Sequence, residues 1–136
     1  PAIRRTARYG TGWQAGLETT DEVAAVISAI KLALVEEGLT IDHDHYGAAF
    51  SYRFGAWDDA PVQAAAAFFR DRLAREPEGR FVVGGAADIL DRIRDYITAG
   101  ASKFILSPIG EGDAEIFSQT ERLIAEVLPK VKRLNG

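Results

Sequence analysis

Residues 81–108 read FVVGGAADILDRIRDYITAGASKFILSP, and this stretch decides the fold. Ile89, Ile93, Tyr96 and Ile97 recur at helical spacing, so a helix is expected over Ala86 to Ala99. Gly100 stands where a helix C-terminus places a left-handed residue. Phe104-Ile-Leu106 then reads as the heart of a short buried strand, Lys103 to Ser107, which runs straight into Pro108-Ile-Gly110 and a further amphipathic segment. Helix, strand, helix with such short connections is the pattern of a parallel sheet covered by helices.

Working upstream, Pro1 to Gly10 has Pro where a first helical turn tolerates it and Gly where a helix ends, and reads as one helix. Thr11 to Gly16 is a short extended segment, strand one, whose two glycines suggest close backbone approach by another element or a ligand. Thr19-Thr-Asp-Glu22 spells a capping box. The helix it starts carries Val23, Val26, Ile27, Ile30 and Leu34 as its stripe and closes at Gly38. His45 to Gly55 alternates, with Tyr46, Ala48, Phe50, Tyr52 and Phe54 on one side and Gly47, Ala49, Ser51 and Arg53 on the other, the signature of strand two.

Trp57 to Pro61 is a turn before an Ala-rich helix, Val62 to Arg75, which reads as an insertion because the next helix follows without a convincing strand between; Phe81-Val-Val83 is too short to settle the matter. Downstream, Asp113 is expected to cap a last helix with Ile116, Phe117, Leu123, Ile124, Val127 and Leu128 as its stripe, and Pro129 to kink or end it.

The chain of 136 residues, 47% hydrophobic, suffices for one core, so a single domain over 1–136 is expected. Sixteen basic residues interleaved with twenty acidic ones, for a net charge of -4, argue against a nucleic-acid partner, which needs a concentrated basic face. No apolar run approaches the roughly 20 residues that span a bilayer, so no membrane partner is expected. With no leader and no cysteine, the reading is cytoplasmic. The chain lacks methionine even at position 1, and is expected to be a piece of something longer.

Beyond these patterns, Ala7-Arg-Tyr-Gly-Thr-Gly-Trp13, the insertion helix, the Val83-Gly84 helix start, Ala99-Gly-Ala-Ser-Lys-Phe-Ile-Leu106 and the ending Glu126-Val-Leu-Pro129 occur in an order that resembles the C-terminal part of the luciferase-like, flavin-dependent monooxygenase family. The resemblance covers essentially the whole chain. It implies an α/β fold, a partial (β/α)8 TIM barrel made of the last three βα units and an insertion helix, with the first five units absent. It also implies FMN or a deazaflavin relative as cofactor and a small-molecule substrate. The Gly-rich loop that in relatives lies just before Pro1 and helps hold the cofactor's phosphate is missing, so the chain alone is expected to hold no cofactor and to be inactive.

Barrel chemistry sits at the C-terminal ends of the strands. The resemblance therefore singles out Trp13 as a wall beside the ring, Gln14 as a donor to a ring carbonyl and Arg53 as an anchor for an anionic group, with Tyr52 and Ser107 toward the substrate. Each has a plainer alternative: core packing for Trp13, a solvated amide for Gln14, an ion pair with Asp58 or Asp59 for Arg53. Tyr52 and Arg53 face opposite ways, so at most one meets the interior.

Asp42 and Asp44 with His43 and His45 invite a metal reading, but they precede strand two and no third histidine exists, so no metal is expected. Gly84-Gly85 at a helix start could hold phosphate through free amides. Glu111, Asp113 and Glu115 would repel it. No Ser-His-Asp set and no cysteine nucleophile is present. A second reading is a stand-alone, non-catalytic α/β module that self-associates through exposed strand edges; in both readings a homo-oligomer is expected.

Overall fold

The computed structural model describes residues 1–134. In order, the elements are α1 (Ala2–Tyr9), β1 (Trp13–Gln14), α2 (Thr20–Glu37), β2 (Tyr46–Phe54), α3 (Ala60–Leu73), β3 (Phe81–Gly84), α4 (Ala86–Thr98), β4 (Lys103–Pro108), α5 (Gly112–Arg122) and α6 (Leu128–Leu134). A five-residue π turn, Leu123–Val127, joins the last two helices, and short 3-10 turns at His43–His45 and Pro77–Gly79 lead into β2 and β3. β2 pairs with each of the other three strands. By its contacts the chain divides into two compact units: Pro1–Ala49 with Asp95–Ile105, and Phe50–Arg94 with the residues from Leu106 onward.

In the first unit, β1 lies parallel to the start of β2, with Trp13 opposite Tyr46 and Gln14 opposite Gly47. On the other edge, Ser102 donates its amide (2.8 Å) and its hydroxyl (3.1 Å) to the Tyr46 carbonyl. The expected capping box forms: Glu22 donates its amide to the Thr19 hydroxyl and accepts the Thr19 amide at 2.8 Å, which satisfies two donors a helix start leaves open. Gly38 closes α2 in the left-handed conformation, φ 65°. Val23, Ile27 and Ile30 of α2 are buried with Tyr46, Ala48 and Tyr96. Each such large apolar side chain contributes about 1.5–3 kcal/mol by leaving water. The Tyr96 hydroxyl, the polar end of a buried ring, donates to the Glu18 carbonyl at 2.9 Å.

In the second unit, the end of β2 pairs in parallel with β3, Ser51 opposite Phe81 through Phe54 opposite Gly84. This corrects the expectation of three strands: Phe81–Gly84 is a strand because the β2 backbone supplies its partners, and α4 follows a strand after all. Ile109 donates its amide to the Tyr52 carbonyl at 2.8 Å on the other edge. Val62, Ala66 and Phe69 of α3 pack with Phe81 and Ile109 as a core cluster, and Phe69 meets Phe81 edge-on at 5.3 Å.

The last helices also depart from expectation. α5 starts at Gly112, behind Glu111, and no side chain caps it; Asp113 lies inside its first turn. Phe117, Ile124 and Leu128 are exposed, and the buried positions are Gln119 and Val127. Pro129 does not end the helix. Just ahead of it the Leu128 amide bonds to Leu123 O, five residues back, and this wider turn accommodates a residue that has no amide to give and a ring that crowds the preceding turn. No helix among the described residues is long and apolar enough to cross a membrane.

Candidate functional site

Two clefts are present, one in each unit: the first beside the N-terminal residues of β2 and β4, not at the C-terminal strand ends expected for Trp13 and Gln14, and the second at the C-terminal end of β4. In the first unit, Trp13 and Gln14 of β1, Gly47 of β2 and Lys103 of β4 border a cleft of about 370 Å³, together with Thr11, Gly12 and His45. The small residues make this possible. A Cβ on Gly12 would sit 2.6 Å from the His45 carbonyl, and one on Gly47 would sit 1.8 Å from Gln14 Oε1. The Gln14 amide thus lies flat on Gly47, and its Nε2 donates to the Ala15 carbonyl at 2.8 Å. One of the two sequence glycines of strand one therefore answers to close backbone approach; Gly16 does not, since a Cβ there meets nothing within 4 Å.

His45 Nδ1 lies 2.7 Å from the Thr11 carbonyl. A carbonyl only accepts, so Nδ1 carries the proton and Nε2 keeps its lone pair in the neutral ring. Asp42, Asp44 and His45 each bring one potential ligand atom within 4.8 Å of the others. His43 is outside this group. The two imidazoles sit on a 3-10 turn rather than a strand, so a spacing of two does not align them.

In the second unit, a cleft of about 620 Å³ opens between the first half of α3, with Ala60, Pro61, Ala64 and Ala65, and the end of β4 and its loop, Pro108 to Glu111; Ser51 of β2 forms its floor. Beside it lies Arg53, whose side chain is only 10% exposed. Its Nε donates to Asp59 Oδ2 at 2.8 Å, Nη1 to the Ile109 carbonyl at 3.0 Å and to Glu115 Oε2 at 3.2 Å, and Nη2 to Glu115 Oε1 at 3.4 Å. Of the two alternatives raised by the sequence, the partner is Asp59, not Asp58. These bonds hold the Asp59 carboxyl below its ordinary range. Glu115 is held down first by the Glu111 amide, 2.7 Å away, and then by Arg53. The guanidinium itself is pushed up, by Asp59 and then Glu115, and stays charged.

Tyr52 is fully buried on the opposite side of β2 from Arg53, and its hydroxyl donates to the Gln119 carbonyl at 3.3 Å; burial pushes its phenol up. Ser107 is exposed on β4, on the same side as Lys103 and Ile105. Gly84-Gly85 is not an open phosphate seat: Asp88 Oδ2 accepts the Gly85 amide at 2.7 Å and lays a carboxylate over the helix start. Sequence reasoning missed Ser51 as a cleft residue, Glu115 as a partner of Arg53, and Gln119, a polar residue buried on the apolar side of α5.

Parallel strands with helices between them define an α/β architecture rather than a sandwich or a bundle. No protein-family model and no curated protein matches the sequence. Among solved structures, the chain is similar to an F420-dependent secondary alcohol dehydrogenase in complex with an F420-acetone adduct, with a TM-score of 0.69 and 12% identity over 92% of this chain. It is also similar to the monooxygenase RslO1 from Streptomyces bottropensis, with a TM-score of 0.64 and 16% identity over 95% of this chain. The chain spans 44% of the length of each of these neighbours, and its fold is that of a partial (β/α)8 barrel.

Proposed function

We propose that this chain is the C-terminal segment of a flavin- or deazaflavin-dependent oxidoreductase, and that it forms one wall of the cofactor and substrate pocket. The observation that carries the reading is the 620 Å³ cleft at the C-terminal end of β4, where barrel enzymes of this architecture hold their substrates. One fold neighbour is a dehydrogenase that binds F420 and the other is a monooxygenase, which supports redox chemistry on a small molecule. In this reading Ser51 and Ser107 lie toward the substrate; Trp13 and Gln14, proposed for the cofactor ring, border the separate cleft of the first unit, beside the N-terminal residues of β2 and β4. Arg53 shapes the second cleft through Asp59 and Glu115.

A flavin or deazaflavin, when bound, supplies the hydride or oxygen chemistry. The residues here fit its ring and not its phosphate. Trp13 offers an aromatic face, whereas the Gly85 amide and the Arg53 guanidinium are already taken by carboxylates. The isolated chain is therefore expected to hold no cofactor and to be inactive without the rest of a barrel.

The sequence has two tryptophans, so Trp57→Phe leaves Trp13 as the sole emitter. Titration of that variant with F420 or FMN, corrected for the cofactor's own absorption against free tryptophan, should leave Trp13 unquenched. Saturable quenching of Trp13, or a yellow chromophore co-purifying with the chain, would overturn its dependence on the rest of a barrel.

We further infer a homo-oligomer. Exposed Phe117, Ile124 and Leu128 and the half-exposed Ile105 of an edge strand support it, and they favour the second reading, a self-associating module, if cofactor binding fails. A light-scattering mass of one chain would count against association.

A further inference from the structure

We propose that the cleft between α3 and the end of β4 selects ligands with an apolar body and no negative charge. This rests on the reading of that cleft as the substrate wall and adds the chemical class it admits. The walls come from Ala60, Ala64, Pro61, Pro108 and Ile109, which present methyl and methylene surface. The polar side chains are the Ser51 hydroxyl on the floor and the Glu111 carboxylate at the rim, which has no ion-pair partner among the described residues.

An anion entering this cleft finds no cation to meet it. Arg53 spends four of its five N–H donors on Asp59, Glu115 and the Ile109 carbonyl, so one positive charge faces two negative ones, and Glu111 adds a third. The start of α3, ordinarily attractive to anions, keeps only the Ala60 amide without an acceptor among the described residues. Pro61 has no amide hydrogen, and the amides of Val62 and Gln63 both bond to the Asp59 carbonyl, at 3.0 and 3.1 Å. The Glu111 amide is taken by Glu115. A carboxylate or phosphate would lose its hydration to face net negative charge, at a cost on the order of tenfold in affinity or more. A neutral or cationic group of the same shape would not.

The experiment uses three isosteric probes, benzyl alcohol, benzylamine and benzoate, titrated into the full chain at low salt by saturation-transfer NMR or calorimetry. The alcohol and the amine should bind, and benzoate should bind at least about tenfold more weakly. Glu111→Gln should narrow the gap between amine and benzoate, and raised salt should narrow it too. Ala64→Trp, which fills the cleft, should abolish binding of all three. If benzoate binds as tightly as the alcohol and Ala64→Trp blocks both, the charge selection is overturned while the cleft remains the ligand site. If the alcohol and amine do not bind, or bind regardless of Ala64→Trp, the substrate-wall reading falls and takes the selection with it.

Discussion

Gln119 closes both backbone groups of Phe54: its Nε2 donates to the Phe54 carbonyl at 3.1 Å while its Oε1 accepts the Phe54 amide at 2.7 Å. One side-chain amide thus does at the end of β2 what a neighbouring strand does elsewhere along it. Gln119→Leu keeps most of the volume and leaves a buried donor and acceptor unpaired, which costs about 1–3 kcal/mol each. Urea denaturation should show the unfolding free energy lowered by that amount, through a lower midpoint at unchanged slope; a loss below about 1 kcal/mol would mean water replaces the amide.

Gly47→Ala should destabilise the first unit because the new methyl displaces the Gln14 side chain, which lies against that position. Overpacking of this kind costs about 1–3 kcal/mol. The double variant Gly47→Ala, Gln14→Ala removes the obstructing amide and should recover most of the loss. Additive losses in the double-mutant cycle would show that the strand itself, and not Gln14, resists the methyl.

The Arg53 cluster sets a pH dependence. Asp59 is depressed below its ordinary value of 3.8, chiefly by the bond from Arg53, and Glu115 below 4.5, chiefly by the Glu111 amide and then Arg53. Both folded values lie under the unfolded ones. The stabilisation is therefore complete above about pH 5.5 and is lost as pH falls through the ordinary carboxylate range and on through the lower folded values. Arg53 stays charged throughout. The thermal midpoint of the wild type should exceed that of Asp59→Asn at pH 6, and the gap should close toward pH 3. A gap that persists unchanged at pH 3 would exclude this linkage.

Ala74 ends α3 in the left-handed conformation, φ 50°, where a side chain is strained and glycine is not. Ala74→Gly should raise stability by about 0.5–1 kcal/mol, the relief of strain less the entropy glycine brings to the unfolded chain. Calorimetry should register a rise of about 2–4 °C in Tm. A lower Tm would show that the Ala74 methyl makes contacts worth more than the strain.

What the sequence made legible were the features whose signals are local. The α2 capping box joins Thr19 to Glu22, and the alternation of β2 follows from its pleat. Asp59, six residues from Arg53, was within reach of the same reasoning. What it hid depends on distant partners. β3 is four residues long and is a strand because Ser51 to Phe54 lie beside it. Glu115 meets Arg53 across 62 positions of sequence, and Gln119 meets Phe54 across 65. Phe117 drew the eye as a core residue, but its apolar ring faces solvent while a glutamine beside it is buried. A stripe scored by hydrophobicity alone does not anticipate a polar side chain buried to serve a strand end.

The π turn at Leu123–Val127 carries a bookkeeping consequence for comparative work. A π turn holds one residue more than the same stretch of regular α-helix, and each helical residue advances about 100° around the axis. When this helix is superposed on a regular one by residue count, positions before Leu123 correspond and positions after Val127 fall out of phase by a quarter turn or more. The correspondence is restored by a single-residue gap placed inside the five residues, so inserted length here marks a change of phase, not an added loop.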